Sequence, residues 1–98
     1  MITHIVMWKL KENAEGGSKA ENMVKLKTML EALPAVIDGI IKFEVGININ
    51  PTGFDLALYS VYESLEALDA YQIHPEHLKV RDFVKSITDG RSVVDYEM

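Results

Sequence analysis

The sequence predicts an α+β domain in which one antiparallel sheet carries helices on a single face. Three observations predict it. Period-two alternation of apolar residues recurs in four segments, helical periodicity occupies the stretches between them, and the order along the chain is β-α-β-β-α-β. Turn chemistry joins the middle two strands closely, so they form an antiparallel hairpin. A split βαβ pattern of this length is the ferredoxin-like arrangement, and 98 residues suffice for one such domain, 1–98, and not for two.

Each element has its own warrant. The first strand, Ile2 to Lys11, sets Ile2, His4, Val6, Trp8 and Leu10 on one face and Thr3, Ile5, Met7, Lys9 and Lys11 on the other. A polar stretch ends in Gly16-Gly17, and Ser18-Lys19-Ala20-Glu21 has the spacing of a capping box that opens a helix. Met23, Leu26, Leu30 and Leu33 form its buried stripe, and Pro34 ends it. After the Asp38-Gly39 turn, Ile41, Phe43, Val45, Ile47 and Ile49 alternate with polar or small residues in a second strand. Asn50-Pro51-Thr52-Gly53 turns the chain into a third, Leu56 to Tyr62. Ser64 caps a helix through Tyr71 with Leu65 and Leu68 on its buried side, and His74-Pro75 restarts a helix with Pro at its first position. Leu78, Phe83, Val84 and Ile87 supply the apolar face of that segment. Asp89-Gly90 stops it, and Val93 to Met98 forms the last strand.

Helices on one face leave the other bare. Ile5 and Met7, with Leu56 and Leu58 or their alternates, give the bare face apolar area, and a patch of this kind marks an interface. A homodimer packed sheet to sheet is the expected assembly. Ten Lys and Arg against 15 Asp and Glu leave a net charge of −5, which argues against nucleic acid and anionic membrane as partners. No cysteine is present, so disulfides, thiolate catalysis and cysteine metal sites are excluded. The opening residues lack the long apolar run of a signal peptide and no segment could span a bilayer, so a cytoplasmic location is expected. The sequence has no phosphate-binding glycine loop and no nucleophile elbow. Two histidines three residues apart make a weak metal signature, so neither cofactor nor metal is expected.

Chemistry concentrates in Tyr71-Gln72-Ile73-His74-Pro75-Glu76-His77, at a helix break. His77 can act as a general base and Tyr71 as a hydrogen-bond donor to an enolate or carbonyl oxygen. A bland assignment competes, with His74 bonded to backbone at the junction and Tyr71 at the edge of the core. His4 is a polar member of an apolar stripe, so it needs a partner or a cavity. Val6 and Trp8 flank it and would line that cavity.

These strings resemble the stress-responsive A/B barrel (Dabb) family. The likeness runs through Ile2 to Lys11, Gly39, Gly46, Asp55, Glu63 to Tyr71, the His74-Pro75-Glu76-His77 string and Val94-Asp95-Tyr96. It implies a dimeric barrel of two ferredoxin-like protomers. Most of the family is known only as stress-associated or uncharacterised. One plant member closes a linear polyketide by a cofactor-free aldol reaction, and its catalytic Tyr and His are similar to Tyr71 and His77. Its intervening and first-strand histidines are similar to His74 and His4. Leu26 and Leu56 stand where that cyclase has a further Tyr and His, so the substrate is expected to differ. Three functions follow as alternatives: binding of a small apolar or aromatic metabolite, with His4, Val6, Trp8 and His74 in the pocket; a cofactor-independent cyclase, isomerase or lyase using His77 and Tyr71; and a non-catalytic protein-interaction module.

Overall fold

The computed structural model describes residues 1–98. Strand β1 (Ile2–Leu10) leads through a small hairpin, β2 (Asn13–Ala14) and β3 (Gly17–Ser18), into helix α1 (Lys19–Glu31) and a 3-10 turn at Leu33–Ala35. Strands β4 (Ile40–Ile47) and β5 (Leu56–Tyr62), helices α2 (Leu65–Ile73) and α3 (Pro75–Ile87), and strand β6 (Thr88–Glu97) complete the chain. The main sheet is antiparallel in the order β4-β5-β1-β6, the ferredoxin-like arrangement. No helix is long and apolar enough to cross a membrane.

Local chemistry sets the helix starts. The Ser18 hydroxyl accepts the Glu21 N–H at 3.2 Å while the Glu21 carboxylate accepts the Ser18 N–H at 2.9 Å, a complete capping box. The Ser64 hydroxyl accepts the Ala67 N–H at the start of α2. Ahead of β4 the chain needs a glycine. Gly39 has φ +90°, and a Cβ there would lie 2.9 Å from that of Ala67.

The inner sheet face and the helices enclose a single apolar core. Leu26, Leu30 and Leu33 meet Val6, Trp8, Val45, Leu56 and Leu58 there, each worth roughly 1.5–3 kcal/mol when buried. Asn22 is buried beside Leu26 because its amide donates to the Ala14 and Gly17 carbonyls and ties the small hairpin to α1. Met23, expected in the stripe, is half-buried.

Several expectations are corrected. Asp89-Gly90 does not end α3 in a loop: Thr88 satisfies the Val84 carbonyl and is already extended, so Asp89 and Gly90 lie within β6. Gly90 instead permits close strand approach, since a Cβ there would sit 3.1 Å from that of Lys9. The second strand loses its clean alternation at Ile41, where a bulge lets Ile40 oppose Tyr62. Ile41 and Ile47 are exposed on this edge strand and Ile49 lies beyond it. Leu65 is 58% exposed because α2 packs through Leu68 and Tyr71, and Val80 takes the buried place on α3 expected of Leu78.

Leu56 and Leu58 face the core, and their alternates occupy the bare face. Register sets Ala57, Tyr59 and Val61 beside Met7, Ile5 and Thr3, and these beside Ser92, Val94 and Tyr96. Tyr59, Val94 and Tyr96 are exposed. The chain is only 18 Å deep in its thinnest direction, room for one sheet and one helix layer.

Candidate active site

The alternation of β1 turns His4, Val6 and Trp8 inward, where they line a cavity of about 370 Å³ against α3. Leu30, Leu58, Val80 and Val84 add apolar wall; Tyr71, Gln72, His77, Arg81, Lys85, Thr88 and Arg91 add polar groups. Five of the six residues singled out in the sequence therefore meet at one cavity: His4, Val6, Trp8, Tyr71 and His77.

The break between α2 and α3 creates the central pair. Tyr71 ends one helix stripe and His77 lies in the first turn of the next, so their ring centroids are 4.5 Å apart despite six residues of separation. His77 Nδ1 lies 3.0 Å from the Gln72 carbonyl, which can only accept, so Nδ1 carries the proton and Nε2 the lone pair. Burial lowers the His77 pKa below its ordinary 6.5; the Gln72 bond opposes this, and Arg81, His4 and Arg91 push it down further. His77 is thus a neutral base at physiological pH.

Tyr71 has the opposite tendency. It is 1% exposed among the rings of His4, Phe43, Tyr62 and His77, and burial, with the neighbouring Tyr62, holds its phenol far above the ordinary value. The hydroxyl therefore keeps its proton and can donate a hydrogen bond. Burial also pushes Tyr62 up to about 12. The Tyr62 hydroxyl and the Trp8 indole Nε1 are buried without a hydrogen-bond partner.

His4 Nδ1 is hydrogen-bonded to the Asp95 carboxylate, its register partner on β6. That contact orients the ring and explains a buried histidine in an apolar stripe. His74 lies apart. Its Nδ1 accepts the Glu76 N–H at 3.1 Å and caps α3, and it does not reach the cavity; Pro75 restarts the helix, and an exposed helical N–H then needs an acceptor. No group of three or more His, Asp or Glu is placed to hold a metal ion.

Sequence reasoning missed Asp95, Tyr62, Gln72, Arg81, Lys85, Thr88 and Arg91. Gln72 and Arg81 were within reach, at five before and four after His77. Asp95 is 91 residues from His4 and only strand register reveals it.

The family model described as Stress Responsive A/B Barrel Domain matches residues 2–98. The chain belongs to this family. Among curated A/B barrel proteins of Arabidopsis thaliana, it is 29% identical to one stress-response A/B barrel domain-containing protein and 33% identical to a second. Each alignment covers 98% of this chain, but the chain spans only 46% of the first protein and 36% of the second. It is 23% identical to the olivetolic acid cyclase of Cannabis sativa, covering 97% of this chain and 94% of the cyclase. In structure it is similar to a dimeric protein of unknown function with a ferredoxin-like fold from Bacteroides fragilis NCTC 9343. That similarity has a TM-score of 0.89 and 38% identity over 99% of this chain and 95% of the other.

Proposed function

We propose that this A/B barrel domain binds a small apolar or aromatic molecule in the cavity between α3 and the sheet, as one half of a homodimer. The cavity carries the reading. At about 370 Å³ it has the size of small-molecule sites, with apolar walls and a few convergent polar groups. The bare sheet face supports the dimer, since Ile5, Met7, Tyr59, Val61, Val94 and Tyr96 form an apolar surface that a two-fold copy would cover. An apolar depression lined by Met7, Gly46, Ile47, Phe54 and Ala57 extends it. Sedimentation at micromolar concentration should give a dimer, and Tyr59→Lys a monomer; a monomeric wild type would refute the assembly.

A thermal-shift screen with small aromatic, β-keto acid and polyketide-like compounds tests the binding site. A shift in wild type that His77→Ala abolishes is the expected result. Equal shifts in both proteins would locate binding elsewhere, and no shift would return the domain to the interaction-module reading.

A second reading, cofactor-independent proton transfer of the cyclase, isomerase or lyase type, is favoured by one observation. Tyr71 and His77 adjoin, one held as a protonated donor and the other as a free base. His77 Nε2 would take a proton from the carbon next to a carbonyl, and the electron pair would move onto the carbonyl oxygen. The Tyr71 hydroxyl would donate to that enolate oxygen. In an aldol closure the enolate carbon then attacks a second carbonyl, and the imidazolium returns the proton to the new alkoxide. The likeness to olivetolic acid cyclase points the same way. Deuterium wash-in at the acidic carbon of a β-keto acid, followed by NMR, should be accelerated by wild type and not by His77→Ala; equal rates would refute it.

A further inference from the structure

We propose that the ligand of this cavity carries an oxyanion, which Arg81, Lys85 and Arg91 hold at one end while its apolar body reaches Tyr71 and His77. The proposal rests on the binding reading above and narrows the class of ligand.

Charge distribution is the first ground. The chain has 15 acidic and ten basic residues, yet no Asp or Glu lines the cavity and three Lys or Arg do. These cations have no partners. The ion pairs of the molecule use His4, Lys19, Lys27, Lys42 and Lys79, so Arg81, Lys85 and Arg91 stand without a carboxylate within 4 Å. Like charges gathered unpaired around a concavity raise a positive field that an anion relieves.

Position is the second ground, and two walls supply it independently. On α3, His77, Arg81 and Lys85 follow at intervals of four on one face, which sets the cations roughly 6 and 12 Å beyond His77 along the axis. On the sheet, His4 opposes Asp95 and Trp8 opposes Arg91, so the Arg91 end is about 13 Å from the His4 end. Helix and sheet thus place a basic end and the Tyr71–His77 end at matching separation. A ligand with roughly 6–12 Å of apolar or aromatic body between its oxyanion and its far end fits that span. Two guanidinium forks suit the planar oxygens of a carboxylate and also a phosphate. An anion there would offset the positive field that Arg81 and Arg91 exert on His77.

Trp8 is the only tryptophan and lines the cavity, so its fluorescence reports binding. The probes are 4-phenylbutanoate, 4-phenylbutyl phosphate and the neutral 4-phenylbutan-1-ol. Wild type at low salt should bind at least one anion about tenfold more tightly than the alcohol. The preference should shrink as salt rises. In the Arg81→Gln/Lys85→Gln/Arg91→Gln variant it should vanish while alcohol affinity stays unchanged, and all three residues are exposed, so the fold should tolerate the change. Whether butanoate or phosphate binds more tightly decides which oxyanion the site takes. Equal affinities for anions and alcohol would overturn the oxyanion and leave the cavity reading standing. Binding of none, by fluorescence and by calorimetry, would overturn both.

Discussion

Tyr62→Phe should stabilise this protein. Tyr62 is fully buried, its ring tilted 5.1 Å from that of Tyr71 and edge-on to His4 at 6.3 Å, and its hydroxyl lies near those of Ser60 and Tyr71 without a hydrogen bond of good geometry to either. The substitution keeps the ring and removes only the orphaned group. An unsatisfied buried hydroxyl costs about 1–3 kcal/mol. The space vacated by one oxygen costs roughly 0.3 kcal/mol at about 24 cal/mol per Å³. A net gain of about 1–2 kcal/mol results, and for a domain of this size each kcal/mol raises Tm by about 4–8 °C. Urea unfolding at fixed protein concentration, with an unchanged m-value, is the assay, because the stability of the proposed dimer would depend on concentration. A loss of more than about 1 kcal/mol would refute the reasoning, for the hydroxyl would then be making a bond and Tyr62 would belong to the site.

Tyr71→Phe should cost no more than about 1 kcal/mol yet remove ligand-induced stabilisation, since its hydroxyl is assigned to a ligand; a cost of several kcal/mol would make that hydroxyl structural. His77 makes stability pH-dependent in a stated direction. Its folded pKa lies below the unfolded value near 6.5, so the unfolded chain takes up the proton first as pH falls, and the stabilisation present above about pH 6.5 is lost through the folded value. Denaturation of wild type and His77→Gln from about pH 5 to 8 should show the wild-type advantage growing with pH. The Gln72 carbonyl, Tyr71, His4, Arg81 and Arg91 are the groups that face it. His74→Ala should cost about 1 kcal/mol through the lost cap and leave ligand affinity unchanged; weaker binding would contradict its placement outside the cavity. Gly39→Ala should destabilise by more than about 1 kcal/mol, measured by the same urea assay, because a positive φ and the Ala67 Cβ both oppose a side chain.

What lies close together along the chain could be read without the structure. Strand alternation, the Ser18 and Ser64 caps and the Asn50–Gly53 turn depend on a few neighbouring residues, so the ferredoxin-like order was legible, and His4, Tyr71 and His77, picked out by residue type, line one cavity. Errors fell where pairing between distant segments overrode a local signal. Asp89-Gly90 carries a stop signal, but β1 offered a ladder that continued the chain as a strand. Ile41 fits an alternating pattern, but the register with β5 needed a bulge there. His74 and His77 look equivalent in the string, and only the restart of α3 makes one a cap and the other a wall of the cavity. Tertiary structure alone decided the Asp95 contact to His4, the orphaned Tyr62 hydroxyl and the gathering of Arg81, Lys85 and Arg91. Each depends on side chains from elements far apart in sequence, and a chain's periodicity tells which face a residue shares but not which residues meet it there.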